Sequence, residues 1–343
     1  MKKRIEYIDI ARGIAMILIV LGHTLVHSEH CSVIFKFLYS FHVMFFLFLS
    51  GFVFKLNKNE NYKDFIIKRF KRIIIPYFVW SIIFLVPYSL MGQNINETFD
   101  TNGIFDLRKM IINVFYGIGK DGRLKQNSSL WFLPALFSIE LFYYWIIRLS
   151  EKNKSLKFAF IPLLLIIGFF SCNYLNLSLP FGINTLLEIG IFFYIGYLSK
   201  DLINSRVFNN FYINFLLFIL GVFCFKFNSL VMCIDYRYGN YFLMIISALS
   251  FTINFVYISM KIRKNTILQF IGRNTMGILI FHKLIVLIFQ TKLGFISKML
   301  INSNFFVEVL ISSFVVVISI FISIFISYIV KKFFPILVGE NKK

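Results

Sequence analysis

Long apolar runs follow one another along the whole chain, and short polar connections separate them. Each run approaches the 20 or so residues that a helix needs to cross the hydrocarbon core of a bilayer. The pattern predicts ten membrane-spanning helices near residues 8–27, 33–54, 73–92, 130–149, 158–176, 181–199, 208–226, 240–260, 267–290 and 306–330. The predicted fold class is therefore all-α, a polytopic helix bundle in a membrane.

Composition supports a membrane protein over a soluble one. The 343 residues are 58% hydrophobic and 15% charged, whereas soluble domains are about 45–50% apolar and about 25% charged. A net charge of +20 also suits a protein that binds nucleic acid, but the basic residues lie in the short connections between apolar runs. We therefore predict contact with membrane lipids and none with nucleic acid.

The positions of lysine and arginine predict an orientation. One set of alternate connections carries 23 basic residues and the other set carries nine. Because connections rich in lysine and arginine stay in the cytoplasm, the larger set is predicted to be cytoplasmic. With ten spans, both termini then lie in the cytoplasm, and the loop from about 93 to 129 faces outward.

Two ionisable residues bracket the apolar core of the first span, in the segment RGIAMILIVLGH. Arg12 and His23 are separated by about 1100° of rotation and roughly 16 Å of rise on an α-helix, so they share one face. His42, in FHVMFFLFLSGF of the second span, is predicted to lie at a depth similar to that of His23. A lone histidine in a span often only bonds a backbone carbonyl and packs. Two at matched depth above an arginine favour a general base.

A basic run, KRFKR, precedes the third span. Its Arg69 and Arg72 are three residues apart, which places them on one face of an α-helix. The run is either a topology anchor at the lipid headgroups or a phosphate site, since arginine pairs bidentately with phosphate oxygens.

Three further residues are candidates for substrate binding. Trp131, in SSLWFLPALF, is most simply an interface aromatic, with stacking on a glycan as the alternative. Glu188 lies mid-span, and it or Glu140 is expected to pair with a histidine or an arginine. His282, in the ninth span, either marks polar exposure towards the outer rim or contacts substrate.

The four cysteines lack the spacing of metal ligands, and no metal site is predicted. They fall near one predicted side of the membrane, so both a disulfide and free thiols are possible. The chain also lacks a P-loop and a GxGxxG fingerprint, which argues against an ATP-driven pump.

Five segments together resemble the membrane acyltransferase-3 family, and in particular its fucose 4-O-acetylase-like branch. In sequence order they are the first-span Arg-x10-His, FHVMFFLFLSGF, the basic run before PY, LWFLPALF and GRNTMGILIFH. The resemblance implies one membrane domain over residues 1–343, without a fused extracytoplasmic domain, in the bacterial cytoplasmic membrane.

The resemblance also implies a reaction. The family moves acyl groups, usually acetyl from acetyl-CoA, onto hydroxyls of cell-envelope glycans, with no tightly bound cofactor. It implies catalytic roles for Arg12, His23 and His42, and donor binding by Arg12, Arg69 and Arg72. A separate extracytoplasmic partner is a further possibility for completing transfer.

Two other functional classes stay open at this point. A transporter or flippase of an envelope glycan precursor would use the same intramembrane histidines and arginines to guide an anionic substrate. A scaffolding subunit of an envelope assembly complex would need none of them for chemistry.

Overall fold

The computed structural model describes residues 5–26, 30–57, 59–89, 107–202, 209–262, 264–291 and 304–340. Within these ranges the regular structure is helical, and an isolated bridge between Met232 and Arg237 is the only β-type pairing. The all-α prediction is confirmed.

The helices follow one another with short connections. In chain order the α-helices are α1 (Glu6–Thr24), α2 (Ser32–Tyr39), α3 (His42–Val53), α4 (Tyr62–Arg69), α5 (Ile75–Ile83), α6 (Leu107–Tyr116), α7 (Phe132–Lys152), α8 (Lys154–Tyr174), α9 (Ile183–Ile189), α10 (Ile191–Leu202), α11 (Phe211–Phe227), α12 (Tyr241–Lys261), α13 (Thr266–Arg273), α14 (Thr275–Thr291) and α15 (Phe305–Phe333).

Several of these helices are long and apolar enough to cross a membrane. The described residues contain seven such stretches, or up to nine if each of two bent helix pairs counts as one span. Helix α11 is equally apolar but has only 17 residues. The number of ten spans and the cytoplasmic location of both termini stay predictions.

Large apolar side chains cover the outside of the bundle. Leu216 and Phe223 on α11 are 64% and 58% exposed, and Phe321 on α15 is 70% exposed. Soluble monomers rarely expose contiguous apolar patches larger than a few hundred Å². In a bilayer these faces meet lipid tails, which is the environment that their composition requires.

Two predicted spans are bent pairs. The stretch 181–199 contains α9 and α10, which meet at an angle of 60°, and the stretch 267–290 contains α13 and α14, which meet at 84°. Hydropathy does not detect the second bend, which lies next to a close contact between α13 and α1. Gly13 and Gly272 let α13 cross α1 so closely that a Cβ on Gly272 would lie 1.9 Å from the carbonyl oxygen of Asp9.

Helices α3 and α10 also approach each other at backbone distance. A Cβ on Gly51 would lie 1.9 Å from the carbonyl oxygen of Phe193, and one on Gly196 would lie 2.0 Å from that of Phe48. Small residues at membrane helix interfaces allow this close packing. The contact fixes α3, which begins with His42.

The connection from α4 to α5 departs from regular α-helix. Residues Phe70–Ile74 form a π-helical turn, and Pro76 lies in the first turn of α5. A π-turn is wider than an α-turn and changes the angular spacing of side chains. Arg69 is buried and Arg72 is exposed, so they do not form the equivalent pair that regular α-helical spacing predicts.

The α3–α10 contact gives a stability test. We expect Gly51→Ala to lower the midpoint of thermal unfolding in detergent by roughly 3–10 °C, because overpacking costs about 1–3 kcal/mol. Val53→Ile is the control, since it adds one methyl group to the same helix at a position that is 42% exposed. Equal midpoints for Gly51→Ala and wild type would contradict the close contact.

Candidate active site

Two adjacent cavities lie inside the bundle. The larger, of ≈ 450 Å³, contains six basic residues in its wall and is named here the basic cavity. The smaller, of ≈ 60 Å³, is lined by His23, His42 and Trp131 and is named the histidine cavity. Among the described residues, the apolar side chains of Phe46, Phe132 and Leu279 line both cavities. The six basic residues of the basic cavity are Arg12, Lys55, Lys68, Arg69, Arg72 and Arg273.

Arg12 lies in the wall of the basic cavity and is half-buried. One of its terminal nitrogens donates a hydrogen bond of 2.9 Å to Thr275 Oγ1, at the start of α14. Arg273, at the end of α13, pairs through Nε with Asp9 Oδ2 at 3.1 Å. Both contacts orient guanidinium groups of the basic cavity from residues more than 260 positions away in sequence.

Arg69 is held far more tightly than Arg72. Its Nε lies 3.0 Å from Glu140 Oε2, and both side chains are only 9% exposed. Its guanidinium also lies 5.1 and 4.9 Å from the ring centroids of Phe54 and Phe65, which is cation–π distance. The sequence left either a histidine or an arginine as the partner of Glu140. In the structure that partner is Arg69, which also lines the basic cavity.

His23 and His42, which come from different helices, line the same small cavity. His42 Nδ1 lies 2.6 Å from the Leu38 carbonyl oxygen. Because a carbonyl only accepts, Nδ1 carries the proton, and in the neutral ring Nε2 keeps its lone pair. The Tyr39 ring packs edge-on against His42 with a centroid distance of 4.7 Å, which holds the imidazole in place.

His282 lies beside His23 and not at an exposed rim. It is fully buried, and its ring centroid is 5.3 Å from that of His23. Nδ1 donates to the Ile278 carbonyl oxygen at 2.6 Å, and Nε2 is 3.4 Å from Ser129 Oγ. The expectation of polar exposure was wrong, because α14 turns this face towards α1. His282 packs against the His23 ring and is not among the described residues that line the histidine cavity.

Trp131 is buried and lines the histidine cavity, so an interface role is wrong for this residue. The segment before it is fixed by Asn127, whose Nδ2 donates to the Ile280 carbonyl oxygen at 2.7 Å and whose Oδ1 accepts from Ser129 N. Sequence reasoning missed Asn127 and Ser129. The available signal was an asparagine immediately before SSLW, where it caps the helical turn Ser128–Trp131.

Glu188 lies in a third cavity, of ≈ 480 Å³, and not with the histidines. It is buried and accepts a hydrogen bond of 3.2 Å from Ser171 Oγ. This Glu188 cavity is mainly polar, and a loop joins it to the histidine cavity: Ile234 lines the histidine cavity, whereas Tyr236 lines the Glu188 cavity.

The model of the acyltransferase-3 family matches residues 5–330, and its description is acyltransferase domain. The chain belongs to the acyltransferase-3 family. No curated protein and no solved structure shows significant similarity to it. This acyltransferase is therefore a multi-pass membrane enzyme, and both cavities lie within the matched residues except for the end of the basic cavity at Val338–Glu340.

The end of the described chain closes one side of the basic cavity, which sequence reasoning missed. After α15, a helical turn at Pro335–Val338 packs against α5, and Trp80 Nε1 donates to the Leu337 carbonyl oxygen at 2.7 Å. Gly339 adopts a φ of 73°, in the left-handed region that favours glycine. Glu340, which follows, lines the basic cavity and pairs with Lys331 at 2.5 Å.

The cysteines are free thiols in the structure, and Cys233 lines the histidine cavity. The part of the chain that the structure describes contains no group of three or more potential metal ligands from His, Cys, Asp and Glu. His27, which extends the polar stripe of the first span in sequence, lies outside the described residues.

The buried ion pair gives a second stability test. We expect Glu140→Gln to lower the free energy of unfolding by about 3–5 kcal/mol, because it leaves the buried Arg69 charge uncompensated. Lys68→Ala is the control: its pair with Glu60, at 3.2 Å, has a lysine that is 54% exposed, and such pairs contribute about 0–1 kcal/mol. Denaturant unfolding in detergent measures both.

A double variant separates charge from packing. Arg69→Met combined with Glu140→Leu removes both charges and puts apolar side chains of similar volume in their place. We therefore expect it to recover much of the stability that Glu140→Gln loses. Similar losses in Glu140→Gln and Lys68→Ala would show that the buried pair carries no special weight.

Proposed function

We propose that this acyltransferase moves acetyl from acetyl-CoA to a hydroxyl of a cell-surface polysaccharide or lipid-linked glycan in a bacterial cytoplasmic membrane. The observation that carries the proposal is the contact between the basic cavity and the histidine cavity across three apolar side chains. An anionic donor and a proton acceptor are thus brought to the two sides of one thin wall.

The basic cavity suits the phosphates of the donor. Its six basic residues face two carboxylates, Glu140 and Glu340, which already pair with Arg69 and Lys331. We assign Arg12 and Arg72, which both line the basic cavity, as the principal phosphate ligands, and Arg69 as a source of positive charge in the wall. The donor is a co-substrate, and no tightly bound cofactor is proposed.

In the histidine cavity we assign His23 as general base. It lies about three helical turns from Arg12 on one face of α1, and it is more exposed to the cavity than the buried His42. His42, whose Nε2 keeps its lone pair, is a second hydrogen-bond acceptor in the same cavity. Trp131 lines the same cavity and is our candidate for contact with the acceptor, of which only the reacting hydroxyl enters the cavity.

The transfer balances without another reactant. The acceptor oxygen attacks the thioester carbonyl carbon while His23 takes the hydroxyl proton. The tetrahedral intermediate expels the CoA thiolate, breaking the carbon–sulfur bond and leaving the acetyl ester. The imidazolium then returns the proton to the thiolate sulfur.

The acceptor is proposed to approach through the Glu188 cavity. Sugar hydroxyls need several donors and acceptors, and that cavity presents carboxylates, an asparagine and Tyr236 next to the loop that it shares with the histidine cavity. Glu188 is a substrate-binding candidate there, and buried His282 acts only by positioning His23. A separate extracytoplasmic partner would act after this step, on the acetylated product.

The base assignment is tested by the glycans of cells carrying each histidine variant. We expect His23→Ala to reduce the base-labile acetyl increment by about 100-fold or more, since general acid–base catalysis contributes about 10²–10⁴-fold. His30→Ala is the matched control, because that histidine is exposed and lines neither cavity. Protein level is checked by immunoblot.

The outcomes distinguish the remaining alternatives. Acetyl retained in His23→Ala but lost in His42→Ala would move the base to His42. Wild-type glycans without acetyl, together with translocation of an unmodified precursor, would replace the proposal with the transporter. Both activities intact in His23→Ala would favour a scaffold.

Donor binding is tested separately by calorimetry with CoA and purified protein. We expect Arg72→Ala to weaken binding about 10-fold, since a hydrogen bond to a charged group contributes about 1.5–3 kcal/mol, and added salt to reduce the difference. Lys71→Ala is the control, because Lys71 is also exposed but is not among the described residues that line the basic cavity. Equal weakening in both variants would indicate general surface charge and not a site.

A further inference from the structure

The wall between the two cavities is made of three buried apolar side chains. Phe46 comes from α3, Phe132 from the start of α7 and Leu279 from α14, and each is less than 8% exposed. The two phenylalanine rings pack edge-on, with centroids 5.5 Å apart and planes at 83°. Phe46, Phe132 and Leu279 are named here the apolar partition.

The cavity beyond the partition is small. Its volume of ≈ 60 Å³ contrasts with ≈ 450 Å³ for the basic cavity. An apolar cavity of about 150 Å³ holds a benzene molecule, so the histidine cavity accommodates a group of only a few heavy atoms. An acetyl group, with three heavy atoms, suits this space better than a butyryl chain, which has five.

Close helix packing holds the walls that set this size in place. Val43 and Phe46 belong to α3, which is packed against α10 at backbone distance through Gly51 and Gly196. Protein interiors are close-packed. Extra methylene groups therefore force side chains out of their preferred rotamers and shift the backbone, which destabilises the fold. A longer acyl chain therefore has to displace the partition itself.

We propose that the apolar partition selects the acyl chain length of the donor, by admitting acetyl to the histidines and excluding longer chains. The inference rests on the proposed function, since it concerns the acyl group of the same donor. Phe46, Phe132 and Leu279 are specificity-determining residues: they neither take a proton nor change the bonds made and broken in the transfer. Their side chains fix which thioester carbonyl reaches His23.

The test uses isolated membranes that contain the enzyme and their own glycans, supplied with radiolabelled acetyl-, propionyl-, butyryl- or hexanoyl-CoA. We expect wild type to prefer acetyl-CoA to butyryl-CoA by about 10-fold or more in kcat/KM, since one methylene group changes such ratios about 10–200-fold. Leu279→Ala and Phe46→Leu are expected to reduce that ratio to about threefold or less.

Phe45→Leu is the matched control. Phe45 precedes Phe46 on α3 and is fully buried, but it lines neither cavity and packs against Phe255. The control is expected to keep the wild-type ratio. Loss of selectivity in Phe45→Leu as well would overturn the proposal, because selection would then reflect general core packing.

A binding measurement covers variants that lose turnover. For purified protein in detergent, calorimetry gives the ratio of the Kd for butyryl-CoA to the Kd for CoA, and partition variants are expected to lower this ratio while Kd for CoA stays within about twofold. An unchanged ratio would overturn the proposal.

The results also separate this inference from the function on which it rests. Wild-type transfer of all four acyl groups at similar rates overturns chain-length selection and leaves acyl transfer intact. Absence of transfer from every thioester, with no CoA binding, overturns the proposed function and the selection together.

Discussion

Helix α1 crosses α13 and runs beside α14, and two polar contacts tie these helices together. Asp9 pairs with Arg273, and Arg12 donates to Thr275. Unpaired polar groups in apolar surroundings are costly, so these contacts fix the register of α1 against the bent pair. Arg12 is thereby directed into the basic cavity while His23, on the same face, reaches the histidine cavity.

The same constraint shapes the two cavities. Arg12 and Arg72 line the larger, basic cavity, while the imidazoles lie behind apolar side chains in a much smaller space. Apolar side chains therefore separate the basic residues from the two histidines His23 and His42. The wall between the cavities is thin, so that the thioester arm of the proposed donor needs to pass only a few side chains.

Charged residues of similar sequence context take different structural roles. Arg69 and Arg72 lie in one basic run, yet Arg69 is sequestered between two phenylalanine rings and Glu140, whereas Arg72 stays exposed at the cavity. The π-turn that begins at Phe70 is responsible, since it changes the angular spacing of the run. Within one basic run, Arg69 is thus a buried part of the fold, whereas Arg72 lines the basic cavity.

Apolar runs and their lengths determined the helical fold, and the spacing of Arg12 and His23 determined that they share a face, because helical periodicity and bilayer thickness are local constraints. The predicted depth of His42 in the second span also indicated that it lies near His23 of α1. Contacts between distant segments were decided only by tertiary structure: His282 beside His23, Glu140 on Arg69, and Glu188 in a separate cavity. The bends near Gly190 and Asn274 belong to the same class. They depend on how closely two backbones approach, and hydropathy along a single chain does not contain that distance.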